Sequence, residues 1–398
     1  MNLLFTSTSY PPAIGGAQQL MHQLARELMH RHRVQVVTQW DTNRTDWLLG
    51  TTLNAPAEAR SYTYGGVPVQ RLTLPASVRR QLAPWVYAYY AAQGPALGRI
   101  SAALAAELAP FATMADLIHN CRIGREGLSY ASLRVARSRS IPFVLTPVHH
   151  PRWGGWLHRH YQRLYRQADA LIALTESERQ TLVGLGVDEA RVAVTGMGPV
   201  LAETWDGARF RQDHGLGAEP IVLFLGQKYV YKGLAALAAA APVVWRHLPE
   251  VRFAFVGPRT NFSRRLFSTL RDARYLELDA VSLQEKTDAL AACDMLCVPS
   301  TQESFGGVYT EAWSLAKPVV AADIPALREV IADGQDGLLI HPQADAIAEA
   351  LCQLLEQPAL AAEMGRRGRE KVEARFSWPR LAAMTEAVYE CVLQHGRP

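Results

Sequence analysis

Two glutamates flank a pair of glycines in the second half of the chain. Glu303 and Glu311 enclose Gly306 and Gly307, and the short apolar run before them, Met295 to Pro299, is typical of a buried strand. The apolar spacing after the glycines predicts a helix over 308–316. Ligands bind beyond the carboxyl ends of strands in open parallel sheets, so the segment predicts a binding site.

Phosphate is the ligand expected at the start of that helix. Unpaired backbone N–H groups and a macrodipole of about half a positive charge favour an anion there, and glycine allows close approach. A carboxylate repels phosphate, so Glu303 and Glu311 are expected to accept hydrogen bonds from sugar hydroxyls on either side of a diphosphate. This describes a nucleotide sugar. The alternative is an ordinary loop with two solvated glutamates. The amides concerned are those of Phe305, Gly306, Gly307 and Val308.

A second strand, loop and helix adds cations. The apolar run Ile221 to Leu225 is followed by a loop that contains Lys228, Lys232 and Gly233. Lys232 stands at the mouth of the following helix and offers its ammonium to the same diphosphate. Fixed cations stabilise the charge that grows on a departing nucleoside diphosphate. A single lysine is more often solvated, but this combination favours function.

These motifs, taken in order, resemble the family 4 glycosyltransferases, a retaining class with the GT-B fold. The match includes the Lys232-Gly233 loop and the Glu-x7-Glu signature from Glu303 to Glu311. The resemblance covers almost the whole length. Its other segments are Met1 to Thr6 with Tyr10 to Gly16, Asp116 to Asn120, Leu145 to Pro151, Ala170 to Thr175, Gly334 to Pro342 and Phe376 to Trp378.

The resemblance implies roles for single residues. Glu303 is expected beside the donor sugar at the reacting carbon, Glu311 at the ribose hydroxyls, and Lys232 at the diphosphate leaving group. Gly16, next to Gly15, is expected to approach the phosphates from the other domain. A histidine near the donor sugar and the acceptor is expected at His150, with His149 as the alternative.

One position departs from the family pattern. Gln227 stands where the family has an arginine, and Lys228 follows it. Glutamine lacks the charge and the forked donors of arginine. We expect Lys228 to replace the arginine as a point charge, or the diphosphate to be held more weakly, and we predict a contact role for Gln227.

The elements that must position these residues form two α/β halves. Apolar strands alternate with helices before and after a polar segment, 196–219, which predicts two doubly wound Rossmann-like domains with parallel sheets and a cleft between them. We predict an N-terminal acceptor domain over residues 1–200 and a C-terminal donor domain over 201–376. By resemblance, a last helix in 377–398 crosses back to the first domain.

Composition agrees with a large enzyme. The chain has 398 residues, of which 49% are hydrophobic and 20% charged, and a formal net charge of +4. We expect no membrane-spanning helix and no leader, hence a cytoplasmic protein. There is no Asp-x-Asp pair, so we expect no metal, and no cofactor beside the nucleoside diphosphate sugar as co-substrate. Kinase and dehydrogenase motifs are missing.

The expected reaction is transfer of a hexosyl group to an acceptor hydroxyl, with retention implied by the resemblance. Cell-surface polysaccharide, lipopolysaccharide or glycolipid synthesis is the expected setting, with a saccharide or lipid-linked acceptor. Two alternatives stay open: a nucleotide-sugar epimerase of the same two-domain fold, and a noncatalytic sugar-nucleotide-binding subunit.

A basic and aromatic stretch over 152–166 could contact an anionic membrane surface. The plainer alternative is a solvated helix face with buried aromatic side chains on its other side. No recognition module for nucleic acid accompanies the stretch, so nucleic acid is not expected as a partner.

Overall fold

The computed structural model describes residues 1–42, 48–56, 58–122, 124–150 and 153–395. These residues form two units: the first comprises Met1–Gly196 with Trp378–Pro398, and the second comprises Met197–Ser377. The domain limits predicted from the sequence, at residues 200 and 376, stay predictions. Pro151, Arg152 and the last three residues of the predicted C-terminal segment lie outside the described residues.

The described part of the first unit is built on an eight-stranded sheet. Its strands are β1 (Asn2–Ser9), β2 (Arg33–Trp40), β3 (Arg60–Tyr64), β4 (Val67–Arg71), β5 (Leu117–Cys121), β6 (Phe143–Thr146), β7 (Ala170–Ala173) and β8 (Val192–Val194). They lie in the order β3-β4-β2-β1-β5-β6-β7-β8. The strands β5, β6 and β7 are buried along their whole length, because helices cover both faces of the sheet.

Helices of the first unit follow the strands. They are α1 (Gly16–Leu28), α2 (Leu49–Thr52), α3 (Ala76–Tyr87), α4 (Gln93–Leu108), α5 (Gly127–Ser138), α6 (Arg159–Gln167) and α7 (Glu176–Gly184), with short 3₁₀ turns at Ala109–Ala112, Trp156–His158 and Glu189–Arg191. A core of apolar side chains, among them Leu145 and Leu171 of the sheet, fills the space beneath α4 and α5.

One edge of this sheet differs from the predicted parallel pattern. The strands β3 and β4 pair antiparallel, with Tyr64 opposite Val67. Gly65 and Gly66 form the turn, and both have positive φ. A two-residue Gly-Gly connection between strand-forming segments is a hairpin signal, and the sequence prediction missed it.

The second unit has its own six-stranded parallel sheet. Its strands are β9 (Ile221–Leu225), β10 (Arg252–Val256), β11 (Tyr275–Leu278), β12 (Met295–Val298), β13 (Val319–Ala322) and β14 (Leu338–Ile340), in the order β11-β10-β9-β12-β13-β14. The sequence prediction missed β11, which is half-buried and carries a charged residue, Glu277. Such a strand lacks the continuous apolar run by which its neighbours were found.

Eight helices complete the described part of the second unit. They are α8 (Gly207–Asp213), α9 (Leu234–Val244), α10 (Asn261–Thr269), α11 (Leu283–Ala292), α12 (Gly307–Ser314), α13 (Pro325–Val330), α14 (Ala344–Glu356) and α15 (Pro358–Arg375). The helix α8 lies within the predicted polar segment, and a 3₁₀ turn, Val230–Lys232, precedes α9.

The C-terminal helix, α16 (Trp378–His395), belongs to the first unit. Its Glu386 accepts a hydrogen bond from His32 Nε2 at 2.5 Å. Tyr389 is buried, and its hydroxyl lies 2.6 Å from His119 Nδ1. None of the helices in the described ranges is both long and apolar enough to cross a membrane.

Both sheets reverse their strand order near the middle. In the second unit the chain runs from β9 outward to β11 and returns to β12 on the other side of β9. The crevice between the carboxyl ends of β9 and β12 is therefore a topological switch point, where open α/β sheets bind their ligands. In the first unit the corresponding point lies between β1 and β5.

Candidate functional site

The two loops predicted to bind the diphosphate meet at the switch point of the second unit. One loop follows β9 and contains Lys232, and the other follows β12 and contains Glu303. Thr301 N donates to Tyr231 O at 2.8 Å, and the Thr301 hydroxyl donates to the same oxygen at 3.2 Å. The sheet order thus brings together side chains that are 71 positions apart in the sequence.

Glycine is required where these loops touch. Gly233 has φ +76°, and a Cβ atom at this position would lie 2.2 Å from the Pro299 carbonyl oxygen. Any larger residue would force the two loops apart. The glycine that the sequence places at the mouth of α9 therefore sets the spacing between the loops.

Lys232 and Glu303 form an ion pair in this contact. The Lys232 ammonium lies 2.5 Å from Glu303 Oε1, and the two side chains are 19% and 8% exposed. Each charge is partly removed from water, so each side chain depends on the other to compensate its charge.

The helix α12 begins at the same edge. Gly306 is its N-cap with φ +84°, and a glycine N-cap has no side chain with which to cap the helix. A Cβ at Gly306 would lie 2.4 Å from the Tyr309 ring. The first amides of a helix have no partner within it, so the predicted donors at Phe305, Gly307 and Val308 stand where an anion can accept from them.

Glu311 lies in the second turn of α12 and is buried. Its Oε1 accepts a hydrogen bond from Lys286 Nζ at 2.8 Å. Burial raises the pKa of the Glu311 carboxyl, and the Lys286 charge opposes that rise. Lys286 comes from α11, and the sequence prediction did not include it, since one lysine in a polar helix carries no signal.

Lys228 has protein partners of its own. Its side chain is fully buried, and its ammonium binds Glu277 of β11 and donates to Leu278 O at 2.5 Å. Burial lowers its pKa, and Glu277 opposes the shift. Burial also acts to raise the pKa of Glu277, but hydrogen bonds from Arg259 and Lys228 outweigh it, and the pKa is lowered.

The predicted phosphate contacts of Lys228 and Gln227 stay predictions. Gln227 is half-buried in the same loop, where its carbonyl accepts from Tyr229 N at 2.9 Å. With Lys228 held by Glu277, Lys232 is the predicted phosphate cation that stands beside Glu303 in this structure.

The remaining predicted residues belong to the first unit, at the carboxyl ends of β1 and β6. Gly15 is the N-cap of α1 and Gly16 its first residue, so this N-cap also has no side chain. His150 is half-buried, and its ring meets Trp153 edge-on with centroids 4.7 Å apart. The strands β1 and β6 that precede these residues are the two neighbours of β5 in the sheet.

His149 has a different environment from His150. It is buried, its Nδ1 lies 3.2 Å from the Tyr165 hydroxyl, and burial lowers its pKa to about 4, with Arg122 adding to the effect. It is therefore neutral at physiological pH. Its neighbour His150 has the greater access to a ligand, although the choice between them stays a prediction.

Arg122 and Glu178 hold the turn that carries these histidines, and the sequence prediction included neither. Val148 has φ +46°, which a β-branched residue rarely adopts. Arg122 donates to Pro147 O at 3.0 Å and to Val148 O at 3.2 Å. Glu178 accepts from His149 N at 2.6 Å.

The sequence does contain a weak signal for Glu178. Thr175 and Glu178 have the spacing of a capping box, and the Thr175 hydroxyl does accept from Glu178 N at 3.2 Å. The carboxylate itself extends to His149 N and to Leu174 N, the latter at 2.8 Å. Burial raises the pKa of Glu178 to about 7, against the two amide hydrogen bonds.

Two family models match the chain. The model of the glycosyl transferase 4-like domain matches residues 15–198, and the model of glycosyl transferases group 1 matches residues 219–357. The first match ends near the limit of the first unit. The second contains the loops after β9 and β12.

Curated relatives align with part of the chain. The alpha-maltose-1-phosphate synthase of Mycolicibacterium smegmatis is 29% identical over 252 residues, which are 56% of this chain and 64% of that protein. The D-inositol 3-phosphate glycosyltransferase of Gordonia bronchialis is 34% identical over 251 residues, which are 58% of this chain and 54% of that protein. The chain thus spans between half and two thirds of the length of these relatives.

A solved structure supports the fold over the full length. The Anabaena protein HepE, crystallised with UDP and glucose, has a TM-score of 0.74 at 19% identity, covering 98% of this chain and 99% of that chain. The likeness shows the GT-B fold with two Rossmann-like domains. Together with the two models, which match most of the sequence, it shows that the chain belongs to the family 4, or group 1, glycosyltransferases.

Proposed function

We propose that the protein transfers a hexosyl group from a nucleoside diphosphate sugar to an acceptor hydroxyl, with retention at the anomeric carbon and without a metal. The observation that carries the proposal is the Lys232–Glu303 ion pair beside the uncapped start of α12 at the switch point of the second unit. The names of the relatives, a maltose-1-phosphate synthase and an inositol phosphate glycosyltransferase, support sugar transfer. HepE, crystallised with UDP and glucose, supports a nucleotide-sugar donor.

Each residue has a task in this reaction. Lys232 and the first amides of α12 stabilise the diphosphate as its charge grows. Once the diphosphate has taken over Lys232, Glu303 accepts a hydrogen bond from a hydroxyl of the donor sugar. Glu311 accepts a hydrogen bond from a ribose hydroxyl. Gly15 and Gly16 have no side chains, so their backbone can approach a phosphate closely, and His150 can orient a sugar.

The bond changes balance without a covalent enzyme intermediate. The bond from the anomeric carbon to the diphosphate oxygen breaks, and the acceptor oxygen bonds to that carbon on the same face. The acceptor proton passes to the departing phosphate oxygen. The bonding electrons of the broken bond leave with the nucleoside diphosphate, so no cofactor is required.

Nucleotide release from a panel of donors tests the function. UDP-, GDP- and ADP-sugars are incubated with the protein, with and without a membrane extract that supplies acceptors, and with and without EDTA. We expect release of one nucleoside diphosphate that depends on the extract and is unaffected by EDTA, and NMR of the product should show the donor's anomeric configuration. Donor conversion without extract would favour the epimerase, and binding without release the noncatalytic subunit.

We further propose that the acceptor is lipid-linked, in cell-surface polysaccharide, lipopolysaccharide or glycolipid synthesis, and that the first unit contacts an anionic membrane. Residues 59–168 contain fourteen arginines and three acidic residues. Trp156 and Leu157 are 60% and 49% exposed, and the Arg159 guanidinium stacks over Trp156 at 3.8 Å. The helix α6 buries Tyr161 and Tyr165 and carries no acidic residue. Exposed aromatic and cationic groups together suit an anionic lipid surface.

Vesicle sedimentation tests the membrane contact. We expect the protein to sediment with phosphatidylglycerol vesicles more than with phosphatidylcholine vesicles, and the Arg159→Gln/Arg163→Gln double variant to lose most of this preference. About 1 kcal/mol is expected for each arginine near such a surface, and added salt should weaken it. The Arg367→Gln/Arg369→Gln variant of α15 removes the same charge from the second unit and should behave like the parent. Equal sedimentation with both vesicles would refute the contact.

A further inference from the structure

Lys286 joins three parts of the second unit. It lies on α11, its ammonium lies 2.8 Å from Glu311 Oε1 of α12, and it donates to Val200 O at 2.6 Å. Lys286 is 20% exposed and Glu311 8%. Met197, three residues before Val200, packs on the start of α12. A Cβ at Gly307 would lie 2.9 Å from Met197 Sδ.

The two oxygens of the Glu311 carboxylate are in different situations. Oε1 is bound by Lys286, whereas Oε2 is buried and has no hydrogen-bond partner by distance and angle in the described part of the chain. The Val200 amide also lies near the carboxylate and acts to lower its pKa. A buried acceptor without a partner is energetically unfavourable, and such groups in native structures are often bound by a ligand, an ion or an ordered water. A carboxyl group with one fixed oxygen has its second oxygen held in a defined position.

We propose that Lys286 is a positioning residue for ribose recognition: its ammonium fixes Oε1 of Glu311, so that Oε2 accepts a hydrogen bond from a ribose hydroxyl of the nucleoside diphosphate. The inference rests on the proposed function, in which Glu311 binds the ribose. It adds a requirement for a cation on a different helix. Lys286 itself has no contact with the nucleotide in this arrangement.

A purely structural ion pair is the competing explanation, and the same unit provides a matched example. The Lys371 ammonium binds Asp336 and donates to Val330 O at 3.0 Å, with side-chain exposures of 17% and 4%. The Lys371 pair therefore resembles the Lys286 pair in joining a lysine to a buried carboxylate, in its burial and in its hydrogen bond to a backbone carbonyl. Removing Lys371 should cost comparable stability without affecting ribose recognition.

Binding of ribonucleotides and deoxynucleotides distinguishes these explanations. UDP, GDP and ADP, and the 2′,3′-dideoxy form of whichever binds, are titrated by calorimetry against the parent, Lys286→Met and Lys371→Met. We expect the parent to prefer the ribonucleotide about tenfold, since a hydrogen bond to a charged group contributes about 1.5 to 3 kcal/mol. Lys286→Met should lose this preference by weakening ribonucleotide binding alone. Lys371→Met should retain it.

Further variants keep the result interpretable. Lys286→Gln retains a donor without the charge and replaces the methionine variant if that one does not fold, as judged by circular dichroism. Lys286→Arg restores the charge and should recover part of the preference. An unchanged preference in folded Lys286→Met or Lys286→Gln would overturn the inference.

Failure of the underlying function would have a different signature. A parent protein that binds the nucleotide but not the ribose hydroxyls would show equal affinity for the two forms, which would remove Glu311 from ribose recognition and the inference with it. A parent that binds none of the three nucleoside diphosphates would contradict the proposed function itself.

Discussion

Replacing Glu303 with alanine should lower sugar transfer by about a thousandfold while nucleoside diphosphate binding is retained or becomes a few-fold tighter. Glu303 is proposed to act on the donor sugar, so the variant loses an interaction at the reacting carbon. The same change removes a negative charge beside the diphosphate and frees the Lys232 ammonium, which lies 2.5 Å from Glu303 Oε1. Both electrostatic effects favour nucleotide binding.

The opposite changes in turnover and binding identify the role of Glu303. Transfer is measured as nucleotide release with acceptor, and binding by calorimetry with the nucleoside diphosphate alone. Glu349→Ala, an exposed change on α14, is the control and should affect neither. Transfer by Glu303→Ala at the parent rate would exclude the proposed role.

Replacing Lys232 with methionine should lower transfer by about a hundredfold or more, because the variant loses the cation that stabilises the leaving group. The nucleoside diphosphate should bind less tightly, and the nucleoside monophosphate should be affected less if the ammonium reaches the terminal phosphate. Lys232→Arg keeps the charge and should retain part of the activity, although its planar group has a different shape.

The pair can also be examined as a unit. Lys232→Met leaves Glu303, only 8% exposed, without its cation, and this costs stability. Comparing the melting temperatures of both single variants and the Glu303→Ala/Lys232→Met double variant isolates the coupling. A Lys232→Met protein with parent affinities for both nucleotides would refute the phosphate contact.

Strand ends were the most predictable part of this protein. The runs Ile221–Leu225 and Met295–Val298 are continuously apolar, and the residues after them, Lys232 and Glu303, could be placed at the carboxyl edge from the sequence alone. Parallel strands share that edge, which is why the two loops could be expected to meet.

The environment of Lys228 could not be predicted in this way. Its partner Glu277 lies on β11, a short half-buried strand that the apolar pattern does not reveal. Lys228 was expected at the ligand because it lies in a loop. In the structure its ammonium binds the carboxylate of Glu277 on β11, the edge strand of the sheet. Lys286 was missed for a related reason, since its pairing with Glu311 depends on how α11 packs beside α12.

The contact between Gly233 and the Pro299 carbonyl has a consequence for engineering donor preference. Since a Cβ at Gly233 would come within 2.2 Å of that oxygen, neither loop can change its path without the other. If only the segment 226–233, which contains Lys232, were replaced by that of a homologue, its backbone would no longer fit the segment 299–307. The segments 226–233 and 299–307 are therefore better replaced together, with both taken from the same homologue so that their backbones fit each other.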